Sequence, residues 1–238
     1  MSNQRPAAVP DEVHAVTAHC RSVLPAKETW FAPPGWPNSL ALCVLDAVWS
    51  LGSTYKTVVF PILDRYGDHR RAQGAAPEKD SGVDLIRVFD EVGGPRGFAD
   101  KIGNHRPAHT KPGAPMKAAS VRQAAQVLAQ HGVTTTADLV AAVALPHQPL
   151  KAAWHRVPGN GVASWRYLLM LAGDEHIKPD RMVHRFVANA LGAEERGLTM
   201  VRAADALAAS AVHQEVGLRV LDHTVWLYQS GLASKRRR

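Results

Sequence analysis

Apolar residues recur every three or four positions along most of this chain, the period of an α-helix packed on one face. Asp11 is placed to cap a first helix running to about Leu24, with Val13, Val16, Cys20 and Val23 on one side. The stretch "AKETWFAPPGWPN" is too rich in proline to continue it. A second helix starts near Asn38 or Ser39. Leu40, Cys43, Val44, Ala47, Val48 and Leu51 form one apolar face and Leu42, Leu45 and Trp49 another, which predicts a central helix buried on both sides. Residues 54–66 predict a further helix, limited or kinked at Pro61, and "GDHRRAQGAAPEKDSG" then reads as an exposed loop.

Ser81 and Asp84 have the spacing of a capping box, and Gly93 or Gly94 ends the helix they open. "GPRGFADKIG" predicts a short helix and "NHRPAHTKPGAPM" a basic loop. "KAASVRQAAQVLAQHG" is amphipathic and closes at Gly132, and a Thr cap precedes "ADLVAAVAL". Five more helices are predicted over 150–156, 162–172, 181–191, 199–214 and 218–230, with Gly173 and Gly192 as stops. No strand alternation and no internal repeat interrupt this pattern, so the expected fold class is all-α.

Composition narrows the partners. The 238 residues are 46% hydrophobic, enough for one large domain or two lobes sharing a core. Lys and Arg total 28 against 21 Asp and Glu, giving +7, which favours a polyanionic partner without naming one. Two cysteines, Cys20 and Cys43, cannot supply the four thiolates of an iron–sulfur cluster, and no CxxC pair suggests structural zinc. "HRPAH" at 105–109 is the densest histidine group and reads either as a metal site or as a solvated loop. "MSNQRPAAVPDE" lacks the apolar core of a signal peptide, and no run approaches ~18 apolar residues, so no membrane contact is expected; a cytoplasmic, nucleoid-associated location and a monomer are the expectations. The "KRRR" end reads as a solvated tail or a nonspecific phosphate contact.

The chemistry concentrates in "LKAAWHRVPGNGVASWRYLLML" and the "IKPDRMVHRF" that follows. Gly159 and Gly161 let the backbone turn tightly between two helices and approach a ligand. The amides near 161–164 open the second helix, where unpaired N–H groups favour an anion such as a phosphate. An ordinary αα-corner is the alternative reading. Asp180 falls at the N-cap of the next helix. A cap and a catalytic carboxylate are compatible roles, because an N-cap acid is fixed in direction and its charge is favoured by the amides it accepts.

Taken in order, these features resemble the helix-hairpin-helix superfamily of DNA glycosylases, typified by endonuclease III and the adenine glycosylases. "VPGNG" at 157–161 resembles the family's Leu-Pro-Gly-apolar-Gly hairpin, and Asp180 with Arg185 resembles its Asp and Arg. "KAASVRQAAQVL" resembles the Lys-Ala-x-x-Ile helix, and "VLDAVWSLGSTYKTV" the segment entering the DNA-facing turn. The resemblance implies a two-lobed all-α fold with DNA between the lobes. Residues 1–37 would pack on the second lobe, 38–150 form a helical lobe, 151–192 carry the hairpin and Asp, 193–234 supply C-terminal helices and 235–238 the basic tail.

It also implies a nucleotide flipped into a pocket and its N-glycosidic bond cleaved with help from Asp180. Pro158, Gly159, Asn160, Gly161, Val162, Ala163, Ser164 and Lys117 would face DNA, often with a monovalent cation on the hairpin carbonyls and no other cofactor. Trp36 and Tyr55 are the preferred stacking residues for an extruded base, ahead of Trp30, Phe31 and Trp49, and His105, Arg106 and Lys111 would help line the cleft. Bifunctional members carry Lys two positions after the second hairpin Gly, where this chain has Ala163, so a Schiff base is not expected there and a monofunctional enzyme is. Gly52 cannot act as the wedge that some members place at this point, and Asn160 replaces an apolar residue. A catalytically silent DNA-binding protein of the same fold, or a helical interaction scaffold, are the competing readings.

Overall fold

The computed structural model describes residues 10–144, 149–192 and 197–231. The N-terminal nine residues and the basic tail at 235–238 lie outside them. The protein is all-α, and the described residues form no strand; two residues, Pro107 and Met116, make an isolated antiparallel bridge. Twelve α-helices are described: α1 (Pro10–Val23), α2 (Leu40–Trp49), α3 (Phe60–Ala72), α4 (Gly82–Glu91), α5 (Gly94–Lys101), α6 (Lys117–Gln130), α7 (Thr136–Val143), α8 (Pro149–Arg156), α9 (Val162–Leu171), α10 (Arg181–Leu191), α11 (Met200–His213) and α12 (Leu218–Gln229). None of the described helices is long and apolar enough to cross a membrane.

The chain divides into two compact units, one of residues 34–174 and one formed by 1–33 with 175–238. The segment 151–192, expected as one piece, is therefore split, with the hairpin in the first unit and Asp180 in the second. Each unit has its own core. In 34–174, every residue of α2 is buried, and α2 packs against α3, α4, α6 and α9. Trp49, Tyr66, Phe89, Phe98 and Trp154 are the largest side chains sealed here. In the other unit α1, α10, α11 and α12 pack on one another around Val16, Phe186, Leu207, Leu221 and Val225.

Local chemistry explains most boundaries. Ser39 caps α2 by accepting the Leu42 N–H, and Ser81 with Asp84, and Thr135 with Asp138, form reciprocal capping boxes on α4 and α7. Gly93, Gly132, Gly173 and Gly192 take positive φ where helices stop. Asp11 lies in the first turn of α1, inside the helix and not at a cap.

One expectation fails. The expected loop after residue 66 begins only after Ala72. A π-type turn at Tyr55–Val59 leads into α3 at Phe60, and the helix continues through Gly67 to Ala72. Its continuation places Arg70 against Asp80, with Nε to Oδ2 at 2.7 Å and a second nitrogen to Oδ1 at 2.9 Å. Tyr66 donates to the same carboxylate at 2.8 Å. Arg70 and Asp80, which the sequence pattern assigned to an exposed loop, thus satisfy one another and Tyr66 inside the unit, which is what their burial demands.

Candidate functional site

The hairpin is built as a closed hydrogen-bonded corner. Asn160 N–H donates to Val157 O at 3.0 Å, completing the turn from α8. Gly159 has φ +83°, and a Cβ there would stand 2.6 Å from Ala108 O. Glycine is required twice over: by the left-handed backbone and by the close approach of the 104–116 loop. That approach brings the basic loop, with exposed Arg106 and Lys111, beside the hairpin.

Ser164 knits the corner from within. Its hydroxyl donates to Gly161 O, and accepts from Gly161 N–H and Trp154 Nε1, all at 3.0 Å. The first intrahelical bond of α9 runs from Trp165 N–H to Gly161 O, so the amides of Val162, Ala163 and Ser164 precede the helix's own ladder. Open space surrounds Gly161 on its Cβ side. The residues at 158–163 are exposed or half-buried, whereas the Ser164 side chain is sealed with its bonding capacity used. Ser164 therefore offers a ligand its backbone amide and not its hydroxyl.

Lys117 does not face a ligand. It opens α6 and is 4% exposed, with Nζ donating to the carbonyls of Trp49 and Leu51 and to Ser53 Oγ. These carbonyls lie at the end of α2 and just beyond it, where the helix dipole favours a cation. The lysine closes a helix C-terminus inside the unit and presents no charge to a phosphate.

Trp36 and Tyr55, the expected stacking pair, do come together, but on an acid. Trp36 Nε1 and Tyr55 Oη each donate to Asp46 Oδ2 at 3.0 Å. Asp46 is wholly buried in α2, and burial, with its charge, pushes the Tyr55 phenol well up. Both rings are half-buried against the core. A single acid in the otherwise apolar "LALCVLDAVW" was the signal for this cluster, since a charge in a helix buried on every side needs polar neighbours.

Trp49 is sealed in the core, with Nε1 on Asn104 Oδ1 at 3.3 Å, so it cannot stack on a base. Phe31 is 41% exposed, its ring 4.9 Å from that of His223. Trp30 borders a recess of about 400 Å³ that is also lined by Cys20, Arg21, Lys27 and Gln214; Asp180, Trp36 and Tyr55 do not line it. His105 pairs with Asp100 at 2.7 Å on the surface. No group of three potential metal ligands occurs among the described residues.

Asp180 is the N-cap of α10. Its Oδ1 accepts from Met182 N–H at 2.8 Å and Val183 N–H at 3.1 Å. Both bonds fall on one oxygen, and Oδ2 has no hydrogen bond among the described residues. The residue is half-buried, so its carboxylate is held in direction without being sealed. Cap and catalytic group are thus both open to one side chain: Oδ1 serves the helix and Oδ2 remains for a ligand.

Sequence reasoning missed Asp222, on the second turn of α12. Its Oδ1 accepts the Lys178 N–H at 2.9 Å, while Asp180 N–H donates to Lys178 O, also at 2.9 Å. Desolvation and the charge of Asp180 push the Asp222 carboxyl up to about 7, against the lowering influence of the Lys178 amide and ammonium. One turn earlier, Glu175 accepts the Arg219 N–H at 3.2 Å. The 175–180 segment is thus laid along the start of α12 by two carboxylates. The partners lie 44 residues apart, a separation at which periodicity carries no information.

No curated protein and no solved structure matches this chain. One family model does, over residues 14–230, a span that takes in the hairpin, Asp180 and Asp222. The chain belongs to the family described as a domain of unknown function, DUF8548.

Proposed function

We propose that this protein is a monofunctional DNA glycosylase that hydrolyses the N-glycosidic bond of a damaged or modified base flipped out of duplex DNA. The observation that carries the reading is Asp180: a half-buried carboxylate with one oxygen fixed by two backbone amides and the other without a hydrogen bond among the described residues. Support comes from the hairpin, where first-turn amides of α9, an uncrowded Gly161 and the neighbouring basic loop suit a sugar–phosphate chain. These contacts would position the DNA and leave sequence unread.

In the proposed reaction the C1′–N bond breaks with its electron pair leaving on the base. The sugar becomes oxocarbenium-like, and a water oxygen bonds to C1′ as its proton is lost to solvent or to the departing base. Asp180 would stabilise the cationic sugar and orient that water. Ala163 carries no amine, so the chain's own hairpin offers no nucleophile for strand cleavage.

A silent DNA-binding protein is the second reading. The engagement of Trp36 and Tyr55 with Asp46, which takes both expected stacking residues away from a flipped base, favours it. The two separate on duplexes carrying a panel of lesions. We expect base release by the wild type to fall about a hundredfold or more in Asp180→Asn, with DNA affinity largely kept. Equal release by both proteins would remove Asp180 from the chemistry, and salt-sensitive binding with no abasic product from any lesion would establish the second reading.

A further inference from the structure

We propose that Asp222 is a positioning residue for Asp180: its carboxylate holds the Lys178 amide and so fixes the short turn that aims the Asp180 side chain. The catalytic consequence rests on the glycosylase reading; the positioning itself does not.

The turn is only three residues long, which makes the link direct. Lys178 gives its N–H to Asp222 and its carbonyl to the Asp180 N–H, so each of its two peptide groups is tied to one of the acids. Ile177 and Pro179 are buried, which anchors the side chains on either side of it. Beyond the turn, Asp180 Oδ1 is set against the amides of Met182 and Val183. Release of Lys178 would free the turn leading into the cap while leaving α10 itself packed on α11 and α12.

Stability alone does not account for Asp222. The charged groups acting on it are Lys178 and Asp180, while Glu175 and Arg219 are engaged one turn earlier and His223, next on the helix, stacks with Trp226. A carboxylate beside a like charge, held in reserve near neutrality, binds the amide more strongly once ionised, because a charged acceptor makes the stronger hydrogen bond. The hold on the turn therefore tightens as pH rises through about 7.

The test uses the full chain and two variants. Amide exchange at constant pH reads the turn without reference to any substrate. In Asp222→Ala we expect exchange at Lys178 to quicken about tenfold, the loss of a hydrogen bond to a charged group, with a smaller rise at Met182 and Val183. Asp222→Asn keeps an acceptor oxygen and guards against failure of the alanine variant to fold. In the wild type the amide resonances of Lys178, Met182 and Val183 should move together with Asp222 between pH 5 and 8, and in Asp222→Asn all three movements should vanish. Unchanged behaviour of Met182 and Val183 in both variants would overturn the proposal even if Lys178 responds. If base release is found, Asp222→Asn should flatten its pH profile near 7 with substrate affinity kept. If no lesion is processed by the wild type, the glycosylase reading fails while the amide data still decide the role of Asp222.

Discussion

In the unit 34–174, Asp80 meets a guanidinium through two hydrogen bonds and a phenol through a third. In the unit that holds α1 and α10–α12, Asp222 meets one backbone amide and the field of a second carboxylate. The first is neutralised by an opposite charge and the second is pushed towards its proton. The difference separates two uses of a desolvated acid. Asp80 closes a loop onto a helix and belongs to the architecture. Asp222 costs the fold something at neutral pH, and perturbed acids of that kind gather where a protein binds or reacts.

The comparison breaks most sharply at its stable end. Asp80→Ala would leave Arg70 buried without its partner, and we expect a loss of about 3–5 kcal/mol in urea unfolding followed by fluorescence. A loss below about 1 kcal/mol would mean that the pair is hydrated and the contrast false.

Asp222→Asn tests the other end, and its sign is opposite. The Asp222 carboxyl is raised in the folded state to about 7 from an unfolded value near 4, so its contribution is full below about pH 4 and is lost as pH rises through about 7. The wild type should lose stability on the order of a few kcal/mol across that window, and the asparagine variant should not. The variant would then be the more stable protein at pH 8.

The smallest effect provides the calibration. Asp138 accepts the amides of Thr134 and Thr135, which hold its carboxyl down at about 2, so its contribution is present above about pH 4 and lost as pH falls through about 2. Thr135→Ala should cost about 1 kcal/mol by removing the cap of α7, with no change in the behaviour of Asp222 between pH 4 and 7.

The contrast also marks where sequence reading works. Helix starts at Ser39, Ser81 and Thr135, stops at Gly93, Gly132, Gly173 and Gly192, and the cap at Asp180 were all legible, because each depends on a few adjacent residues. The hairpin was legible for the same reason. Its packing was not: the need for glycine at 159 comes in part from Ala108, some fifty residues earlier. Lys117 looked like a surface charge because its partners, carbonyls at the end of α2 and just beyond it, lie 66–68 positions away. The continuation of α3 was missed because a polar stretch was taken for a solvated one, when Arg70 and Tyr66 were spaced to meet Asp80. Polar residues that satisfy each other at long range leave no periodic trace.

The two cysteines carry a practical consequence. Cys20 belongs to one unit and Cys43 to the other, both are free and buried, and desolvation raises the thiol of Cys20 to about 11 and that of Cys43 well above its usual range. Neither thiolate is available while its surroundings are folded. A maleimide or disulfide reagent added to the native protein would therefore report opening of each half separately, through two probes already written into the chain.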